Sequence, residues 1–229
     1  MAALGLSMAP CIGSAAKWPS QLRPYCASGF TYNYLSACKL SVDRLSERPI
    51  AEPESYDIKW NPYIGFRFAA GLWLPAPKSG CIFGEVEYQT GRTAKTEHFG
   101  PVSVHESYMR LTSDFILLNL YYQLNVANAF QPYFGVGCGT SNLKGEACFF
   151  SDETYAFNSA TNHRMAIKGT AGFSFALNRS TTLEAEFVAI HLSKEKREKR
   201  LTASSGGTTI ATVAPSGVVQ LSLGLCNTF

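Results

Sequence analysis

The sequence lacks a run of the ~18 unbroken apolar residues that a membrane-spanning helix requires. Its richest stretch, Phe115–Leu124, is interrupted by Asn119, which excludes a helical membrane protein. Charge is sparse too, at 16% of residues against an ordinary value of about 25%. The net charge of +3 is too small to indicate a nucleic-acid partner. The seven cysteines include no CxxC pair and no histidine at ligand spacing, so zinc-ribbon and thioredoxin-type chemistry are unsupported. No metal and no cofactor is expected. A 46% hydrophobic content argues against disorder, and 229 residues suffice for one domain with a core.

Met1–Ala16 (MAALGLSMAPCIGSAA) is small and apolar, has no acidic residue, and ends with Ser14 and Ala16 at the −3 and −1 positions that signal peptidase accepts. It is expected to be an export signal, leaving the remaining chain, 17–229, in an oxidising compartment.

The body of the chain follows period two. In WNPYIGFRFAAGLWL, Ile64, Phe66, Phe68, Ala70, Leu72 and Leu74 share one face, opposite Tyr63, Gly65, Arg67, Ala69 and Gly71. The same alternation sets Ile82, Val86 and Tyr88 against Glu85, Glu87 and Gln89, and Ile116, Leu118 and Leu120 against Asn119 and Gln123. It also sets Ile167, Phe173 and Phe175 against Lys168 and Thr170, and Phe187 against Glu184 and Glu186. Eight strands are predicted, over about 24–35, 60–74, 80–90, 106–124, 132–140, 163–177, 182–193 and 217–229.

Most of these strands exceed the globular mode of about 5–6 residues and match the ~9–11 of a tilted membrane strand. Long polar gaps near 36–58, 91–105, 141–162 and 194–216 alternate with tight ones near 75–79, 125–131 and 178–181. An even strand count with long connections on one rim and short turns on the other is the arrangement of an outer-membrane barrel. Closure hides the edges that such strands would otherwise expose. The predicted fold is therefore all-β, an eight-stranded antiparallel up-and-down transmembrane barrel, with large apolar residues facing lipid and small or charged ones facing the lumen. A soluble lipocalin-like carrier, with an apolar interior and a polar exterior, is the opposing architecture.

NLYYQL (Asn119–Leu124), followed after a short turn by PYFGVGCG (Pro132–Gly139), resembles the central hairpin of the opacity-protein and outer membrane protein A barrels. The terminal LSLGLCNTF resembles the signal read by the barrel-assembly machinery, with Leu223, Leu225 and Phe229 as its alternating apolar residues and Asn227 as a departure. The resemblance implies a bacterial outer-membrane surface protein, exported through the periplasm, monomeric, in contact with outer-membrane lipid and lipopolysaccharide. Adhesion or contact with a host or the environment through the outer loops is the expected role, without enzymatic activity. A small low-conductance porin is an alternative.

Arg67 is expected to face inward beside Glu85 and Glu87, and Lys168 beside Glu184 and Glu186, forming with Asn119 a polar plug in the lumen. His191 and Ser193 share a strand face, as a base–nucleophile pair would, and resemble the dyad of the lipid A deacylases. Glu195 and Glu198 are the candidate orienting carboxylates. A hydrolase acting on lipid A is thus the enzymatic alternative. Cys38 and Cys148 fall in separate outer loops and are candidates for a disulfide, whereas Cys81, Cys138 and Cys226 are expected as packing residues. Trp60, Trp73, Tyr121, Tyr122 and Tyr133 cluster towards strand ends, where headgroup depth suits an amphipathic, half-wet ring; the ordinary preference of aromatics for sheets is the alternative. The KEKREKR run, Lys194–Arg200, carries five basic residues, Lys194, Lys196, Arg197, Lys199 and Arg200. It is expected on the outer surface, either simply as a solvated loop or where lipopolysaccharide phosphates or a host polyanion would meet it.

Overall fold

The computed structural model describes residues 22–36, 38–42, 54–58, 60–76, 80–98, 106–124, 130–151, 154–193, 200–202, 208–210 and 216–229. Met1–Ala16 and the segment 194–199 lie outside the described residues. Eight antiparallel strands close a barrel: β1 (Arg23–Leu35), β2 (Tyr63–Ala76), β3 (Gly80–His98), β4 (Glu106–Leu124), β5 (Phe130–Ser151), β6 (Thr154–Ala176), β7 (Thr181–Leu192) and β8 (Gly217–Thr228). Each strand pairs with its neighbours in sequence, and β8 returns to β1 with Leu223 opposite Phe30 and Cys226 opposite Ala27. Two short hairpins, Cys38–Val42 with Glu54–Ile58 and Arg200–Thr202 with Thr208–Ile210, follow β1 and β7.

Alternation decides which side chains meet lipid. Phe30, Ile64, Leu118, Val136, Ile167 and Leu221 are all exposed on the outside, Val136 at 66%, while Glu87 and Lys168 on the inward parity are at 0% and 1%. A continuous band of this kind is far larger than a soluble monomer leaves in water, and its location fits the lipid-facing band of a membrane barrel. The lipocalin-like alternative requires the reverse.

The wall is uneven in height. β1, β2, β7 and β8 have 12 to 14 residues, whereas β3 to β6 have 19 to 23. At ~3.3 Å per residue and a tilt near 40°, the shorter set rises about 30 Å, the span of a bilayer core with its margins. The longest strands continue roughly 25 Å beyond it. The gaps expected over 91–105 and 141–162 are thus largely strand. β3 pairs with β4 out to His98 opposite Glu106, and β5 with β6 out to Ser151 opposite Thr154. Polar composition points to loops there because the apolar period fades where both faces leave the lipid. Backbone pairing continues regardless, since the N–H and C=O groups still seek partners.

On the opposite rim the connection 177–180 is tight. The Asn178 side chain accepts hydrogen bonds from the backbone N–H groups of Ser180 and Thr181 at 2.9 and 2.8 Å, an Asx turn that reverses the chain in few residues.

Candidate functional site

The inward-facing side chains form three layers. Nearest the short-turn rim lies an aromatic layer centred on Phe83. Its ring stacks on Tyr121 at 4.6 Å and on Trp73 at 5.0 Å, and meets Tyr133 and Tyr25 edge-on at 5.7 and 6.0 Å. Glycines make room for these rings. A Cβ at Gly71 would come 2.7 Å from the Tyr25 ring, and one at Gly172 would come 2.9 Å from that of Tyr133. The placement of Trp60, Tyr121 and Tyr133 at headgroup depth is therefore corrected: all three are buried inside the barrel, and Trp73 packs against the same layer. Tyr121 and Tyr133 have the parity of Asn119 and Gln123, and in a strand parity outranks the preference of a residue type.

Above the rings lies a belt of charge. Arg67 reaches four carboxylates: Glu85 and Glu87 at 2.9 Å each, Glu186 at 3.2 Å and Glu184 at 3.5 Å. Its planar fork of five donors suits a place where partners approach from several directions. Asn119 donates to both Glu85 and Glu87 at 3.0 Å, and Gln89 donates to Glu87. The belt is fastened to the rings below. The hydroxyls of Tyr25 and Tyr121 donate to Glu85 at 2.8 and 2.9 Å, and that of Tyr133 to Glu186 at 2.8 Å. Buried carboxylates are tolerable only when so supplied with donors.

Lys168 is not beside Glu184 and Glu186, as the sequence suggests. Its Nζ lies 2.7 Å from Glu87 and donates to the Tyr121 hydroxyl at 3.1 Å. The reason is register: Glu186 is paired with Gly172 and Glu184 with Ser174, which leaves Lys168 opposite Ile190, four residues further out. Its chain crosses the narrow lumen to β3, three strands away around the wall.

A second cluster of apolar side chains lies on the outer side of the belt. Leu111, Phe115, Leu117, Leu143, Ile190 and Val218 belong to one buried cluster, with Tyr63 among them donating to or accepting from Ser113 at 2.7 Å. The lumen expected to be lined by small and charged residues is thus a charged belt between an aromatic layer and an outer layer in which these apolar residues alternate with buried Asn33, Gln89, Ser113, Ser141, Arg164 and Gln220.

The other candidates are dispersed. His191 lies on the outer face with Phe187. Ser193 sits at the strand end, where its Oγ accepts from the Met165 N–H at 3.2 Å and its own N–H donates to the Met165 carbonyl at 2.9 Å. Among the described residues no carboxylate hydrogen-bonds His191; Glu195 and Glu198 lie outside them. Leu223, Leu225 and Phe229 face outward on β8 and its end, and Asn227, on the same parity, accepts from the Thr181 hydroxyl at 2.9 Å. Lys194, Lys196, Arg197 and Lys199 lie outside the described residues, and Arg200 opens one of the short strands. Cys26, Cys81, Cys138 and Cys226 are free thiols. The Cys38–Cys148 pairing concerns side chains outside those described.

No family model matches the chain, and no curated protein matches it. Solved structures do. The outer membrane protease OmpT from Escherichia coli superposes with a TM-score of 0.58 at 9% identity, covering 92% of this chain and 97% of that one. A major outer membrane protein from Thermus thermophilus gives 0.56 at 9% identity, covering 88% and 99%. The fold is that of the outer-membrane β-barrels. Neisserial surface protein A is also similar, at 14% identity and a TM-score of 0.44 over 92% of this chain and 98% of that one. The eight-stranded barrel implied by the central hairpin and the terminal strand is the architecture the chain adopts.

Proposed function

We propose that the chain is a non-enzymatic surface protein of the bacterial outer membrane, in which a sealed barrel anchors a raised wall of strands facing the environment. The observation that carries this reading is the layered interior. Arg67 and Lys168 are saturated with buried partners, with an aromatic layer on one side of the belt and a buried apolar cluster on the other. Ion transit would require breaking buried pairs and displacing packed rings, a poor design for a conduit and a good one for an anchor. The small-porin alternative has no such support. The hydrolase alternative is disfavoured because the Ser193 hydroxyl is engaged by the backbone of β6 and His191 has no fixed carboxylate among the described residues.

What the anchor holds up is the outer continuation of β3 to β6, together with the basic segment 194–200. That segment suits contact with lipopolysaccharide phosphates or a host polyanion. Export through the periplasm on the Met1–Ala16 leader and assembly through the Phe229 signal complete the proposal.

The test is expression in a Gram-negative host with the leader intact. The product is expected in the outer-membrane fraction as a heat-modifiable band, and an epitope placed in the β5–β6 connection at 152–153 is expected to be reached by antibody on intact cells. A soluble periplasmic product, or an epitope reached only after lysis, overturns the reading. Turnover of lipid A that is abolished by Ser193→Ala overturns its non-enzymatic part.

A further inference from the structure

On the outward face of β3 to β6 the apolar band ends in a cross-strand row of Tyr88, Ile116, Thr140 and Met165. Tyr88, Ile116 and Met165 are still large exposed hydrophobic residues. The next outward row is Thr90, Asp114, Asn142 and His163. There Asp114 Oδ1 accepts from the Tyr88 hydroxyl at 3.1 Å and from the Thr90 hydroxyl at 2.7 Å. A tyrosine with its ring on the lipid face and its hydroxyl in a polar contact marks the edge of the hydrocarbon.

One row further out stand Arg92, Thr112, Lys144 and Thr161, on four adjacent strands. Their chain neighbours Thr93, Leu111 and Leu143 are buried, so this row faces away from the lumen, with Arg92 and Lys144 exposed. Arg92 and Lys144 thus flank Thr112 from the two neighbouring strands, about 10 Å apart at the backbone. Long basic side chains on either side of a short hydroxyl residue can close over it and meet one anion together. The row itself holds no acidic residue. Asp114, on the diagonal from both cations, has its Oδ1 occupied by Tyr88 and Thr90. Arg110, the next outward residue on β4, stands opposite Glu146 and is left outside the site. The Arg92 row lies about 10 Å above the last apolar one. A headgroup zone is about 5–8 Å deep, and long basic side chains snorkel back into it.

We propose that Arg92, Lys144 and the Thr112 hydroxyl form a binding site for a phosphate group of lipid A in the outer leaflet. A planar guanidinium and an ammonium supply the charge, and the hydroxyl supplies a neutral donor between them, a set suited to a phosphate monoester. Position selects the lipid over a dissolved anion, because the same strands continue below as the exposed apolar side chains Ile116, Leu118 and Val136, along which acyl chains lie. The site rests on the outer-membrane reading above and is separate from the basic segment 194–200.

The experiment reconstitutes the refolded full chain in phosphatidylcholine vesicles, verifies the heat-modifiable band, and measures the association of spin-labelled lipid A from its motionally restricted fraction. Bisphosphorylated lipid A is expected to associate about tenfold more strongly than its dephosphorylated form. Arg92→Gln with Lys144→Gln is expected to remove most of that preference, and Thr112→Val a smaller part. A charge-matched control, Arg23→Gln with Arg179→Gln, alters two exposed arginines near the short-turn rim and is expected to keep it. Inorganic phosphate at constant ionic strength is expected not to displace the lipid. Equal association of the two lipids with the wild-type chain overturns the site, as does an undiminished preference in the Arg92/Lys144 variant. An equal loss in the control would be a general charge effect, and displacement by inorganic phosphate would make this a free-anion site; either overturns the proposal. Absence of a heat-modifiable band is a failure of the outer-membrane reading, whereas a folded barrel without lipid preference is a failure of this site alone.

Discussion

The charged belt and the aromatic layer beneath it are stacked inside one barrel and held by opposite means. In the belt, charges are shared across the lumen as well as between neighbours: Arg67 of β2 meets carboxylates of adjacent β3 and of β7, three strands away, and Lys168 of β6 meets β3, also three strands away. In the aromatic layer, cohesion comes from ring contacts converging on Phe83. Loss of one belt member leaves the others buried and uncompensated, whereas loss of one ring leaves a void whose cost scales with its size. The three tyrosines belong to both layers, rings in one and hydroxyls in the other. They tie the two layers together through their hydroxyls.

The sharpest way to break this contrast is Arg67→Ala. It strips four carboxylates of their common partner and is expected to cost ~3–5 kcal/mol or prevent folding, seen as a lowered conversion temperature of the heat-modifiable band. If the variant folds, its bilayer conductance should rise only slightly, because the aromatic layer and the outer apolar cluster remain. Phe83→Ala should cost about 3 kcal/mol by opening a cavity among the rings, read in the same assay. Its smaller companion Phe83→Leu should cost clearly less, as volume and not charge governs that layer. Tyr133→Phe keeps the ring but removes the hydrogen bond to Glu186, with an expected loss of about 1.5 kcal/mol. A larger loss than for Phe83→Ala would show that the hydroxyls outweigh the stacking.

At the small end, replacing Lys194, Lys196, Arg197, Lys199 and Arg200 by Gln should leave barrel stability within about 0.5 kcal/mol. It should reduce binding to heparin or lipopolysaccharide and remove its salt dependence. Unchanged binding would dismiss the basic segment as a contact.

The belt is legible from the sequence because strand parity assigns each residue to a face, and Arg67, Glu85, Glu87, Asn119, Lys168, Glu184 and Glu186 all occupy the inward parity. The partner of Lys168 is not legible. Contacts across a lumen depend on barrel diameter and on the accumulated stagger of several strands, which no single strand's pattern encodes. The aromatic layer escapes for another reason. Tyr121 and Tyr133 carry the inward parity openly, but the liking of tyrosine for membrane interfaces points the other way. Phe83 shows the same signal, alternating with Ile82 and standing two residues before Glu85.

The central claim, that this barrel is a sealed anchor, is tested most directly by the conductance of the wild-type chain in a planar lipid bilayer, with insertion verified by the heat-modifiable band. A charged belt between an aromatic layer and a buried apolar cluster predicts no sustained unitary current steps at moderate voltage. Stable, repeated opening steps from the folded wild-type protein would contradict it.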